Sequence, residues 1–209
     1  MSSERPNPQA SGIFFILGGR DTARTAWPWH VALYQDYPPT DRRPKKYLCG
    51  GSIINRFWII TAAHCIPQEG NGSLLITAGT WRRSTLSPNQ QLKYAVKVIL
   101  HPLYNNKTMR HDIAMIKVHN PFSWSHYVKP ACIYNADTKI PTNCTAIGFG
   151  VTEFMGGLDA YTLQEVEQKV ISNNDCKQSG FTHRYVVFDG IVCAKTIHKK
   201  QSLLSGPCQ

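Results

Sequence analysis

Short apolar runs recur along the chain, separated by clusters of Gly, Pro, Asn and Ser. The runs at 29–34, 52–60, 74–78, 94–100, 113–118, 144–149 and 166–171 are rich in β-branched and aromatic residues and predict β-strands. Many short strands at roughly even spacing predict a sandwich or a barrel. Helical turns are expected at 62–65 and through 172–178. Residues 1–15, whose first twelve are polar and Pro-rich, read as a tail, linker or propeptide remnant ahead of one domain over 16–209. No repeat of 20–50 residues and no low-complexity tract interrupts the pattern.

Composition narrows this picture. The 209 residues are 42% hydrophobic and 17% charged, enough to bury a core. No apolar run is long enough to cross a membrane as a helix. The net charge of +10 is scattered, with clusters at Arg42-Arg43-Pro44-Lys45-Lys46 and Lys199-Lys200. These read as solvated loops, with a site for heparin or an acidic substrate as the alternative. No nucleic-acid motif accompanies the charge, so a nucleic-acid partner is not expected.

Seven cysteines and eight histidines occur, without a C-x-x-C or an H-x-x-x-H, which disfavours a local structural metal site. Three N-x-[ST] sequons, at Asn71, Asn106 and Asn143, are candidate N-glycosylation sites. With the cysteines they point to an oxidising, secretory environment. The start MSSERPNPQASG lacks the pattern of a secretory signal, which pulls the other way.

Two segments carry chemistry. In Ile60-Thr61-Ala62-Ala63-His64-Cys65 a histidine follows an apolar run and three small residues that permit a tight turn. Alone, it reads at least as well as a structural histidine. In Arg110-His111-Asp112-Ile113-Ala114-Met115-Ile116 an aspartate opens an apolar strand and is the only acidic residue between Glu69 and Asp137. A carboxylate entering a buried strand needs donors to offset its desolvation, and a histidine Nδ1–H is one. Alone, it reads equally as a cap or a surface group.

Together these segments resemble the trypsin-like (chymotrypsin-fold) serine proteases. Further matches follow in order along the chain: Ile16-Leu17-Gly18-Gly19, Trp27-Pro28-Trp29, Cys49-Gly50-Gly51-Ser52-Ile53-Ile54, Val128-Lys129-Pro130-Ala131-Cys132-Ile133, Cys144-Thr145-Ala146-Ile147-Gly148-Phe149-Gly150, Asn174-Asp175-Cys176 and Ile191-Val192-Cys193-Ala194. Phe149 stands where Trp is usual. The resemblance implies an all-β fold of two six-stranded antiparallel Greek-key barrels, the second incomplete here. It implies serine-type endopeptidase chemistry, with His64 as general base and acid and Asp112 as its orienting partner. Ile16 would be the N-terminus made on zymogen activation. Disulfides Cys49–Cys65 and Cys176–Cys193 are implied, with Cys132, Cys144 and Cys208 left unpaired. Implied partners are protein or peptide substrates and protease inhibitors, in an extracellular setting. No cofactor is implied. The segment 79–93 holds no Asp or Glu, so the carboxylate calcium site of some relatives is not expected.

The pattern breaks at the end. The nucleophile motif Gly-Asp-Ser-Gly-Gly-Pro is absent: Ser205-Gly206-Pro207 reads as a degraded copy of it that has lost a glycine, or, as the better match, Gly206-Pro207-Cys208-Gln209 is the stretch that precedes it in the family. Gly206 would then lie at the floor of the primary specificity pocket. The expectation is a chain truncated before its nucleophile and inactive by itself, with an open edge on the second barrel. A non-catalytic protease-like binding module and an unstable fragment are the alternatives.

Overall fold

The structure, a computed structural model, describes residues 16, 18–67, 72–83, 87–133, 142–150, 160–178 and 190–197. Its strands are β1 (Arg20–Asp21), β2 (His30–Asp36), β3 (Lys46–Ile53), β4 (Trp58–Thr61), β5 (Ser73–Ala78), β6 (Gln91–Leu100), β7 (Ala114–Val118), β8 (Asn143–Gly148), β9 (Gln164–Ile171) and β10 (Cys193–Thr196). A 3₁₀ turn spans Ala63–Cys65 and one short helix, α1, spans Asn173–Gln178. The fold is therefore nearly all β, as the sequence pattern predicts.

Six antiparallel strands close into a barrel in the order β2-β3-β4-β7-β6-β5. Its interior holds Val31, Leu33, Ile53, Ile59, Ile76, Ile116 and Val118, with Phe122 and Val128 from the following loop. Each side chain of this kind stabilises the fold by about 1.5–3 kcal/mol when fully buried. Closure removes free sheet edges. It also leaves the outer face of β6 to solvent, where Leu92 and Tyr94 are exposed; the register shift between Ala95 and Lys97 ends that alternation, and the exposed Val98 stands opposite Ile116 instead.

A second sheet forms around β9. β8 pairs along one of its sides, Asn143↔Lys169 to Gly148↔Gln164. β1 and β10 share the other side, at Glu165 and Gln164 and at Ile171 to Gln168. Four strands of the second unit are thus in place among the described residues. β1 and β10 have no sequence signature of their own: each is held by its pairing to β9.

The two sheets meet across β2, which explains why that strand is buried on both faces. Val31 and Leu33 point into the barrel, while Ala32 packs with Phe149 and Leu163 of the second unit. Backbone bonds reinforce the seam: Leu163 N–H donates to Trp81 O (2.9 Å) and Arg83 N–H to Tyr161 O (3.0 Å). Glu165 on β9 accepts from Arg20 Nε (2.9 Å) and from Trp27 Nε1 (2.8 Å), tying the Trp27-Pro28-Trp29 segment to the second sheet.

One expected element is corrected. The apolar run 52–60 is not a single strand: β3 ends at Ile53 and β4 begins at Trp58. Asn55 causes the break, because its Oδ1 accepts from the N–H groups of Phe57 (2.9 Å) and Trp58 (3.0 Å). That side-chain turn competes with continued extension. The tail at 1–15 lies outside the described residues.

Candidate active site

β4 and β7 run side by side with Thr61 opposite Ala114, Ile60 opposite Met115 and Ile59 opposite Ile116. This register puts the residues just after β4 beside those just before β7. The chain leaves β4 through Ala62 and makes the 3₁₀ turn, with Cys65 N–H donating to Ala62 O (3.2 Å) and Ile66 N–H to Ala63 O (3.1 Å). Ala63 is fully buried beneath this turn, so a small residue is required there. His64 projects from it. The Cys49–Cys65 disulfide ties the turn back to β3.

On the other side, His111 has a left-handed backbone (φ 56°), and Ile113 N–H closes back on His111 O at 2.8 Å. This tight bend holds Asp112 out of the β7 ladder and turned to His64. Asp112 Oδ2 lies 2.6 Å from His64 Nδ1, and Asp112 Oδ1 accepts the His64 backbone N–H at 2.8 Å. The two side chains are only 17% and 8% exposed. A buried carboxylate at this point is compensated by two donors from one residue. Since an ionised carboxylate only accepts, Nδ1 carries the proton and Nε2 presents its lone pair. The pair can hold a directed base beside solvent.

Nearby groups complete the corner. The His101 and His111 rings stack with centroids 4.8 Å apart. The Tyr104 hydroxyl is pushed above its ordinary pKa, first by burial and then by the Asp112 charge. Cys65 Sγ lies 3.5 Å from His64 Nε2. Cys49, His64 and Cys65 are the one group of three metal-ligating side chains among the described residues, with ligand atoms within 4.8 Å of one another. In the oxidised protein the two sulfurs are bonded to each other and leave no thiolate for an ion.

The other sequence-flagged residues lie elsewhere. Ile16 is buried, and its carbonyl accepts from Gly19 N–H (3.1 Å). A second disulfide joins Cys176 of α1 to Cys193 of β10. Cys132 is an exposed free thiol and Cys144, on β8, a half-buried one. Asn106 is exposed in a turn and Asn143 is exposed on β8. Asn71, Gly206 and Cys208 lie outside the described residues.

One buried polar group went unremarked in the sequence. His30, at the start of β2, is 5% exposed, and neither ring nitrogen has a hydrogen-bond partner. It sits edge-on to Phe149 at 5.5 Å and against Gly50, where a Cβ would come within 3.2 Å of Nε2. Burial pulls its pKa from 6.5 to about 4. A histidine inside an apolar strand run was the available signal.

No helix among the described residues is long and apolar enough to cross a membrane. The trypsin family profile matches residues 16–206. Ovochymase-2 of Mus musculus is 31% identical over 180 residues, covering 83% of this chain and 28% of that protein. The chain thus spans a little over a quarter of the length of this curated relative. A match across nearly all of the sequence, joined to a closed six-stranded barrel beside a second antiparallel sheet, shows that the chain belongs to the trypsin family.

Proposed function

We propose that this domain is built for serine-type hydrolysis of peptide bonds in protein substrates, with His64 as general base and then general acid. The observation that carries the reading is the two-point hold of Asp112 on His64, at 2.6 and 2.8 Å. It fixes the ring's tautomer and supports Nε2 as the nitrogen that would take a serine's proton. Nε2 takes the hydroxyl proton as the oxygen attacks the carbonyl, and returns it to the leaving amine. Asp112 stabilises the imidazolium formed between those steps and stays ionised throughout. The two disulfides support an extracellular setting, with protein inhibitors as further partners.

The 209 residues contain no Gly-Asp-Ser-Gly-Gly-Pro. On the alignment that puts Gly206-Pro207-Cys208-Gln209 ahead of that motif, they would hold the base and its partner without the hydroxyl these groups activate, and the 209-residue chain is expected to have no peptidase activity. Fluorophosphonate labelling tests both halves of the reading. The 209-residue protein should not label. Sequencing of transcripts through the Gln209 codon identifies any product that includes the motif. That product should label, and His64→Ala should abolish its labelling. Labelling that survives His64→Ala overturns the assignment of His64. The alternative reading is a protease-like binding module. That reading takes over if every transcript stops at Gln209.

A further inference from the structure

We propose that reduction of the Cys49–Cys65 disulfide turns the His64 corner into a zinc site, with both thiolates and His64 Nε2 binding the ion. No C-x-x-C announces this set in the sequence: Cys49 comes from β3 and the other two from the 3₁₀ turn after β4. The barrel brings their ligand atoms within 4.8 Å of one another. The Cys65 Sγ to His64 Nε2 separation is 3.5 Å. A tetrahedral Zn²⁺ with bonds of about 2.3 Å to sulfur and about 2.0 Å to nitrogen holds two such ligands about 3.5 Å apart. That edge of the coordination shell is already in place. The Cα atoms of Cys49 and Cys65 are 5.8 Å apart, close enough for both sulfurs to reach one ion.

Asp112 supplies what such a histidine needs on its far side. Its contact at Nδ1 (2.6 Å) leaves the Nε2 lone pair as the donor and fixes the ring plane. Two thiolates and an imidazole select a borderline-soft ion over calcium or magnesium. His64 is partly open to solvent, so a water completes the fourth position.

The chemistry balances with a dithiol as reductant. The Cys49–Cys65 sulfur–sulfur bond breaks, and the two S–H bonds of the dithiol become one disulfide. Its two protons end on Cys49 and Cys65, and zinc binding releases them to solvent. The ion then occupies the lone pair that the proposed hydrolysis requires. That inhibitory consequence rests on the function proposed above. The metal site does not.

The test uses the purified full chain, reduced by a water-soluble phosphine and titrated with Co²⁺ and then Zn²⁺ under inert gas. Near-ultraviolet thiolate-to-cobalt absorption and the visible bands of tetrahedral cobalt are expected at one ion per chain. Neither should appear before reduction. The Cys176→Ser/Cys193→Ser variant should keep the spectrum, and Cys49→Ser/Cys65→Ser should lose it. Asp112→Asn should keep the tetrahedral spectrum and weaken affinity about tenfold. A reduced, unfolded chain would bind through any of its cysteines without regard to Asp112. Unchanged affinity in Asp112→Asn therefore overturns the proposal, as does a site that follows Cys176 and Cys193. Failure of the protease reading would instead show in the fluorophosphonate experiment and leave these spectra unchanged.

Discussion

Replacing His30 with glutamine is expected to make the protein more tolerant of mild acid. His30, at the start of β2, is buried against Phe149 and Gly50, and neither ring nitrogen has a partner to stabilise a charge. Burial holds its pKa near about 4, against 6.5 when exposed. An unfolded chain therefore binds a proton at His30 at a pH where the folded chain does not. The contribution of a neutral His30 is present in full above pH 6.5. It falls as pH drops towards about 4, and below that the loss is complete. At about 1.36 kcal/mol per pH unit the full loss is about 3 kcal/mol. Between pH 7 and pH 5 it is about 2 kcal/mol, a large part of a domain's margin. Urea unfolding at those two pH values, with disulfides intact, measures it. Other titrating groups act alike in both proteins, so the difference in pH response between wild type and His30→Gln isolates this residue. Wild type should lose about 2 kcal/mol more than the variant on going to pH 5. Equal losses would refute the reasoning and mean that the ring is already charged or solvated in the folded state.

Other perturbations test the geometry around the site. Asp112→Ala leaves the His64 backbone N–H and Nδ1 without their acceptor, and should cost about 1–3 kcal/mol in equilibrium unfolding. A proton resonance for the His64 Nδ1–H, shifted far downfield in wild type, should vanish in that variant. Gly79→Ala should destabilise by more than about 1 kcal/mol, because φ is +69° and the new Cβ would meet Asn89 O at 2.6 Å. A melting temperature equal to wild type would show that the turn after β5 relaxes freely.

How much of this was legible beforehand differs from element to element. The runs that became β5, β7, β8 and β9 show β-rich apolar patterns, and the structure places strands within a few residues of the expected bounds. Their pattern is local, since one face of each meets a core. The 52–60 run misled because only the polar pair Asn55-Arg56 interrupts its apolar residues, too short a break to mark two strands by pattern alone. The Asn55 side-chain bonds, with the Ile54 N–H to Trp58 O bond (2.9 Å), close the turn that separates β3 from β4. β1 and β10 were invisible, because pairing with β9 rather than composition makes them strands.

By itself the sequence determined the class of fold, the family, and the two segments that hold His64 and Asp112. These follow from side-chain types and their order, which no folding is needed to read. Tertiary structure decided how the two residues meet: 48 positions separate them, and the Thr61↔Ala114 register brings them within 2.6 Å. It alone decided that β2 is buried on both faces, that His30 is sealed from water, and that Cys49 and Cys65 stand against the imidazole. Each of these depends on what packs from a distant part of the chain, and a contact of that kind leaves no mark on the local pattern of residues.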